Sequence, residues 1–286
     1  MKEKKRISLV LGSGGARGLT HIGIIKWLEE HNYEIASISG CSIGALVGGF
    51  YAAKKLDAYE AWVRQLDVLA MLRLLDFQGS GGLVSGTKLM RELEKLLGNP
   101  NIEELAIKYT AVATDIDAQK EVWINQGSLL SAIRASISLP MFFTPYRYMN
   151  KNLVDGGVLN PVPIAPTFHD TSELTISVNL GGEATHAPLQ KETQEQSSKL
   201  SQTIKEYFGT FSLPESFLKE NNIYMIANKS FDTMQSNIAK MKLAAYPSDI
   251  EIDIPINLCG TFEFHKADEL IKYGYNLCKT IEELQN

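Results

Sequence analysis

Residues Ile35 to Ala53 read IASISGCSIGALVGGFYAA, nineteen positions without a charged side chain. A run of that length is long enough to cross a bilayer as a helix. Ser37, Ser39, Ser42 and four glycines argue against a span, and so do flanks that are not those of one. Two other readings remain. One is a buried strand, a turn and a buried helix that simply pack together. The other is a nucleophile elbow at Gly40-Cys41-Ser42-Ile43-Gly44: a serine on a sharp strand-to-helix turn, with glycines where side chains would clash. Ile35, Ile38 and the small residues between them follow the Asn32-Tyr33 turn signal as a short buried strand. Ala45, Leu46, Val47, Phe50 and Tyr51 then fit a helix. A bare Gly-x-Ser-x-Gly is a weak signal, and its position between strand and helix strengthens it without settling it.

Upstream, Ile7 to Leu11 is apolar except for Ser8, the pattern of a strand covered on both faces. It runs into Gly12-Ser13-Gly14-Gly15-Ala16-Arg17-Gly18, then a helix from Leu19 to about His31. Strand, glycine loop and helix together aim backbone N–H groups at an anion. A dinucleotide fingerprint counted from Gly12 needs glycine where Arg17 stands, and a Walker A loop needs Lys-Ser/Thr where Leu19-Thr20 stands. Both fail. The anion that still fits is a transient one, the oxyanion of an acyl-transfer intermediate.

Downstream, Ala61–Leu75 and Lys88–Leu97 have helical periodicity, joined across a glycine-rich connector at 79–82 that reads as a linker rather than a lid hinge. Thr110–Asp117 is a strand with Glu121–Ile124 as its hairpin neighbour, and Gly127–Leu139 a helix stopped by Pro140. Asn150-Lys151-Asn152 turns the chain into a strand at Leu153-Val154, which ends in the tight turn Asp155-Gly156-Gly157. Leu174–Leu180 alternates as a strand, 181–203 is a polar surface excursion or loop, and 205–243 has helical patches. Asp249–Ile256 is a late strand and Ala267–Leu284 a closing helix. No internal repeat is present. The alternation predicts one α/β domain over 1–286, a three-layer α/β/α sandwich around a mainly parallel sheet.

Composition bounds the function. The 286 residues are 44% hydrophobic and 21% charged, enough to bury a substantial core, and a net charge of −5 offers no field for nucleic acid. Cys41, Cys259 and Cys278 have neither metal nor disulfide spacing, which points to a reducing compartment, with no metal and no cofactor. The basic N-terminus lacks the apolar length and cleavage site of a signal peptide, so the expected location is cytoplasmic. Lys2, Lys4, Lys5 and Arg6 offer charge for peripheral contact with anionic lipid, although a solvated strand entry is the stronger reading.

Three pieces, Gly14-Gly15-x-Arg17-Gly18, Gly40-x-Ser42-x-Gly44 and Asp155-Gly156-Gly157, resemble in order and spacing the motif set of the patatin-like phospholipases. Ala135-Ser136-Ile137-Ser138-Leu139-Pro140, with Phe142 to Pro145 behind it, is similar too, and His21-Ile22-Gly23-Ile24 looks like the bacterial members. The resemblance covers roughly the first 165 residues and the closing helix; Ser13 departs from a glycine common in the family. It implies a patatin-like fold and a serine lipid acyl hydrolase of phospholipase or lysophospholipase type. In that reading Ser42 is the nucleophile and Asp155 its base, with Gly14, Gly15 and Arg17 at the oxyanion hole. Gly40 and Gly44 then shape the elbow, and Gly156 and Gly157 the turn at the acid. Arg17 either holds its loop or meets a lipid phosphate, a structural pairing being favoured. Burial of Asp155 would raise its pKa toward that of a useful base.

Other readings stay open: a carboxylesterase or thioesterase for smaller acyl substrates, a non-catalytic binding module of the same fold, and the weakened nucleotide class. A Ser-Asp-His triad would need His169, His186 or His265, none of which carries a motif around it. His21 reads as a packed, hydrogen-bonded histidine, and Asp115 and Asp117 as turn or solvated residues.

Overall fold

Seven strands line up side by side in the computed structural model, in the order β10 (Ile250–Pro255), β9 (Leu174–Gly182), β1 (Lys5–Leu11), β2 (Tyr33–Cys41), β5 (Lys108–Asp115), β8 (Lys151–Asp155) and β7 (Tyr146–Tyr148), with β6 (Lys120–Ile124) paired to β5 outside that path. The structure describes residues 4–78, 83–185 and 223–285. The connector at 79–82, residues 186–222 with His186, and Lys2 lie outside the described residues.

β1, β2, β5, β9 and β10 run parallel. β6, β7 and β8 close one side antiparallel. A separate pair, β3 (Phe77–Gln78) and β4 (Leu83–Val84), stands apart from this sheet. The sheet is mixed, with helices packed on both faces.

Alternation along β1 shows how the layers form. Leu9 and Leu11 belong to the large core with α1 (Thr20–Glu30), α2 (Ile43–Ala52) and α8 (Ala267–Cys278). Val10, between them, faces the other way and packs with Val162, Ile164 and with Ala239 and Leu243 of α7 (Ile223–Ala245). The 35–53 run is thus strand, turn and helix, and none of the described helices is long and apolar enough to cross a membrane.

Some boundaries differ from the sequence reading. Ala61–Leu75 is not one helix: α3 (Leu56–Val63) ends before Asp67, whose carboxylate accepts the Ala70 N–H at 2.6 Å and starts α4 (Val68–Leu74). β5 stops at Asp115, whose side chain bends the chain by accepting the Ala118 N–H at 3.0 Å. Between α5 (Thr87–Leu97) and the acid strand, α6 (Leu129–Ser136) is shorter than 127–139, capped by Ser128 on the Ser131 N–H at 3.1 Å. Lys4 and Lys5 stand at the N-terminal end of β1, opposite the end that runs into the Gly12–Gly18 loop, and Arg6 there pairs with Glu34 at 3.6 Å.

Candidate active site

β2 delivers Cys41 to the sheet's C-terminal edge, and the next residue, Ser42, has φ +54 and ψ −122 before α2 begins. A serine in that backbone region is strained and persists only where its surroundings hold it. Two glycines let those surroundings close in. A Cβ on Gly44 would lie 2.1 Å from the Leu11 carbonyl oxygen, and one on Gly40 would lie 2.6 Å from the Ala45 nitrogen. Ser136 supplies the positive hold: its Oγ accepts the Ser42 N–H at 2.9 Å and donates to the Val112 carbonyl at 2.6 Å.

β5 brings the acid to the serine. It pairs with β2 at Gly40–Ala111 and Cys41–Val112, and with β8 at Ala113–Asp155. Asp155 is fully buried, and its Oδ2 accepts a hydrogen bond from Ser42 Oγ at 2.5 Å. Oδ1 accepts the Gly157 N–H at 2.8 Å and a weak bond from Cys41 Sγ at 3.8 Å. Gly156 and Gly157 form the short helical turn that follows. Loss of water pushes the Asp155 pKa up to about 6, against the opposing pull of the Ser42, Gly157 and Cys41 donors.

Across the cleft, the loop after β1 presents its amides. The N–H groups of Gly12, Ser13 and Ala16 are taken by Val178, Pro161 and Thr261 carbonyls at 2.8 to 3.0 Å. Among the described residues those of Gly14 and Gly15 have no such partner, and both glycines line the same cleft as Ser42. The Ile43 N–H, first in α2, has no acceptor within its own helix.

Arg17 does not join them. Its guanidinium is buried on the far side of the loop, donating Nε–H to the Leu180 carbonyl at 3.1 Å, with Cys259 O and Asp232 each at 3.4 Å. That corrects its grouping with the oxyanion hole: the side chain struts the loop from behind and does not line the cleft.

His21 braces the same loop. Its Nε2 donates to the Gly12 carbonyl at 3.0 Å, and burial drops its pKa to about 4, so it is neutral at pH 7. A histidine whose folded pKa lies below its unfolded 6.5 supplies stability above pH 6.5 that is lost as pH falls toward 4. Asp155 acts in the opposite sense, so the difference between two proteins isolates the histidine. The His21→Gln variant, measured by urea unfolding, is expected to gain about 2 to 3 kcal/mol relative to wild type between pH 7 and pH 4.5. A pH-independent difference would contradict this.

No histidine completes a triad among the described residues: the partners of the Asp155 carboxylate are Ser42, Cys41 and Gly157. Asp115 serves its turn, and Asp117 accepts from Asn152 at 2.7 Å. Among the described residues no group of three or more His, Cys, Asp or Glu side chains is placed to hold a metal ion.

Ser42 lies in the wall of a cavity of about 1150 Å³, counting its open mouth. Leu46, Val63, Leu93, Ile137, Phe142 and Phe231 are among the apolar residues that dominate its lining. Its polar corner holds Ser13, Asp232, Gln235 and Thr261. Gln235 is buried and donates Nε2–H to Ser13 Oγ at 3.3 Å. Sequence reasoning missed Ser136, Asp232 and Gln235 as site residues; only Ser136 stood in a recognisable block. The arrangement can polarise a hydroxyl, hold an apolar chain beside it and receive negative charge on backbone amides.

A family model described as patatin-like phospholipase matches residues 9–168. Proteins described as uncharacterised NTE family proteins of Mycobacterium tuberculosis and Mycobacterium bovis are 33% identical over 94% of this chain and 89% of theirs. Lysophospholipase NTE1 of Coccidioides immitis is 28% identical over 99% of this chain, which corresponds to 18% of that protein. VipD from Legionella pneumophila, a solved structure, aligns with TM-score 0.46 and 16% identity over 98% of this chain and 67% of that chain, too distant to bear on function.

Proposed function

The chain belongs to the patatin-like phospholipase family, and from that premise we propose that it is a serine lipid acyl hydrolase working through Ser42 and Asp155 alone. One observation carries the reading: the Ser42 hydroxyl donates at 2.5 Å to a fully buried carboxylate at the edge of an apolar cavity. The lysophospholipase described in Coccidioides immitis supports a lipid ester as the substrate.

In the proposed cycle the Ser42 proton passes to Asp155 Oδ2 as Oγ bonds to the ester carbonyl carbon. The N–H groups of Gly14, Gly15 and Ile43 receive the oxyanion, each such donor being worth about 3 kcal/mol. Collapse breaks the ester C–O bond, and Asp155 returns the proton to the departing alcohol. Water then repeats the sequence on acyl-Ser42, restoring the serine and releasing the acid. A carboxylate with an ordinary pKa is a poor base for this work; one raised to about 6 is still ionised at pH 7 and more basic.

The pH dependence follows. Protonation removes the base, so kcat/KM is expected to hold above pH 6 and fall about tenfold per unit below it. A rate that stays flat to pH 4.5 would rule out a base of this pKa. All three cysteines are free, in keeping with the cytoplasmic location we propose.

The competing esterase or thioesterase reading turns on the acyl chain. A buried methylene contributes about 0.8 kcal/mol, so kcat/KM for a series of p-nitrophenyl esters is expected to rise by up to about fourfold per methylene as the chain fills the cavity. A decline beyond acetate or butyrate would favour the small-substrate enzyme. A fluorophosphonate probe tests for catalysis as such: labelling is expected on wild type, and its absence would favour the binding module.

A further inference from the structure

α4 is an anomaly. Its sequence is VLAMLRL, its only charge is Arg73, and none of its residues is buried. Among the described residues its leucines, Val68 and Met71 do not pack against the hydrophobic core, unlike Trp62 and Leu66 just before them. A helix this apolar belongs inside a protein or in lipid, and α4 is instead half-buried outside the core. Met71, Leu74 and Leu75 face the cavity that Ser42 lines; Leu69 and Leu72 do not line it and flank Arg73 on the outer side.

The cavity mouth has a second apolar rim. Phe142 and Phe262 both line it, with ring centroids 4.6 Å apart, and Phe262 is 37% exposed. Beside Phe142, Met141 is held at φ +66 with its side chain 43% exposed, a strained position for an apolar residue with no solvent role. Exposed Phe262 in the cavity lining and exposed Met141, next to the lining residue Phe142, thus join the half-buried α4 as apolar surface around the cavity of the proposed nucleophile.

We propose that α4 and the Met141–Phe262 rim insert into the surface of a lipid bilayer, so that substrate passes from membrane to Ser42 without crossing water. The inference rests on the lipid hydrolase reading for its choice of partner. The dimensions fit it better than a second copy of the chain: a seven-residue helix is about 10 Å long, too small to provide the roughly 800 Å² per partner of a stable protein interface. It is large enough for shallow insertion of a few side chains. With a net charge of −5 the chain has no basic field to draw it to lipid, so the attachment is apolar and survives salt.

The test uses the Ser42→Ala protein, which needs no turnover to report. It is expected to co-sediment with phosphatidylcholine vesicles, and to do so equally in about 0.5 M NaCl, where surface charge is screened. Leu69→Gln with Leu72→Gln should lower the partition coefficient at least about tenfold, and Leu69→Trp should raise it. In the otherwise wild-type enzyme, the double glutamine change should leave hydrolysis of a soluble short-chain ester within about twofold. Vesicle binding that is absent, lost in salt or indifferent to these changes would overturn the proposal, as would a dimer that the glutamine changes dissociate. Failure of the hydrolase reading would appear separately, as a wild-type protein that binds vesicles and cleaves no ester.

Discussion

Ser42→Ala is expected to lower kcat/KM for any ester substrate by about 10⁴-fold or more, with a fold that remains intact. Removing a serine nucleophile leaves only binding and oxyanion stabilisation, and those alone act far more weakly than the complete set. The change deletes one oxygen at a position whose backbone strain is already met by the Ser136 bond to the Ser42 N–H, which alanine retains. Asp155 loses its closest donor in this variant but keeps the Gly157 N–H, so its carboxyl shifts further toward the neutral form and no buried charge is stranded. Circular dichroism and thermal melting should therefore resemble wild type while turnover vanishes. Substantial residual turnover would mean that the reacting group is elsewhere.

Asp155→Asn is the second large effect, about 10³ to 10⁴-fold in kcat/KM. The substitution is nearly isosteric, and an amide can still offer Oδ1 to the Gly157 N–H. Its NH₂ then faces Ser42 Oγ and donates toward it, where a carboxylate accepted. The hydroxyl has nowhere to send its proton. The variant should regain rate as pH rises and hydroxide takes over, in the alkaline range where the wild type is already flat. His169→Ala and His265→Ala are expected to change kcat/KM by less than a factor of about two, because neither side chain is bonded to Asp155; a collapse in either would bring back a triad.

The readable part of this site is the part written in consecutive residues. The elbow was legible because Gly40 and Gly44 mark places where only hydrogen fits against Leu11 and Ala45, and that demand leaves a local signature. Asp155 was legible through its turn, although as a bare Asp-Gly-Gly it is indistinguishable from any tight bend. What joins them, the β2-β5-β8 pairing, is a long-range property that no short stretch encodes.

Residues that act from a distance left no trace. Gln235 reaches Ser13 from α7, and its position in the sequence looks like one polar residue on an amphipathic helix. Arg17 sits inside a recognisable motif and its structural pairing was the favoured reading, but its partners were not readable, since the carbonyls that capture it belong to Leu180 and Cys259 far along the chain. The break between α3 and α4 was hidden because the apolar period continues through it; Asp67 was the signal, a capping residue inside an otherwise uniform pattern.

The central claim is that Ser42 gives its proton to Asp155 with no third residue. The most direct measurement is fluorophosphonate labelling with peptide mapping, run on wild type and on Asp155→Asn at pH 7. The predicted result is a single adduct on Ser42 in the wild type and labelling slowed about 10³-fold or more in the variant. An adduct on any other residue, or undiminished labelling of Ser42 in Asp155→Asn, would contradict it.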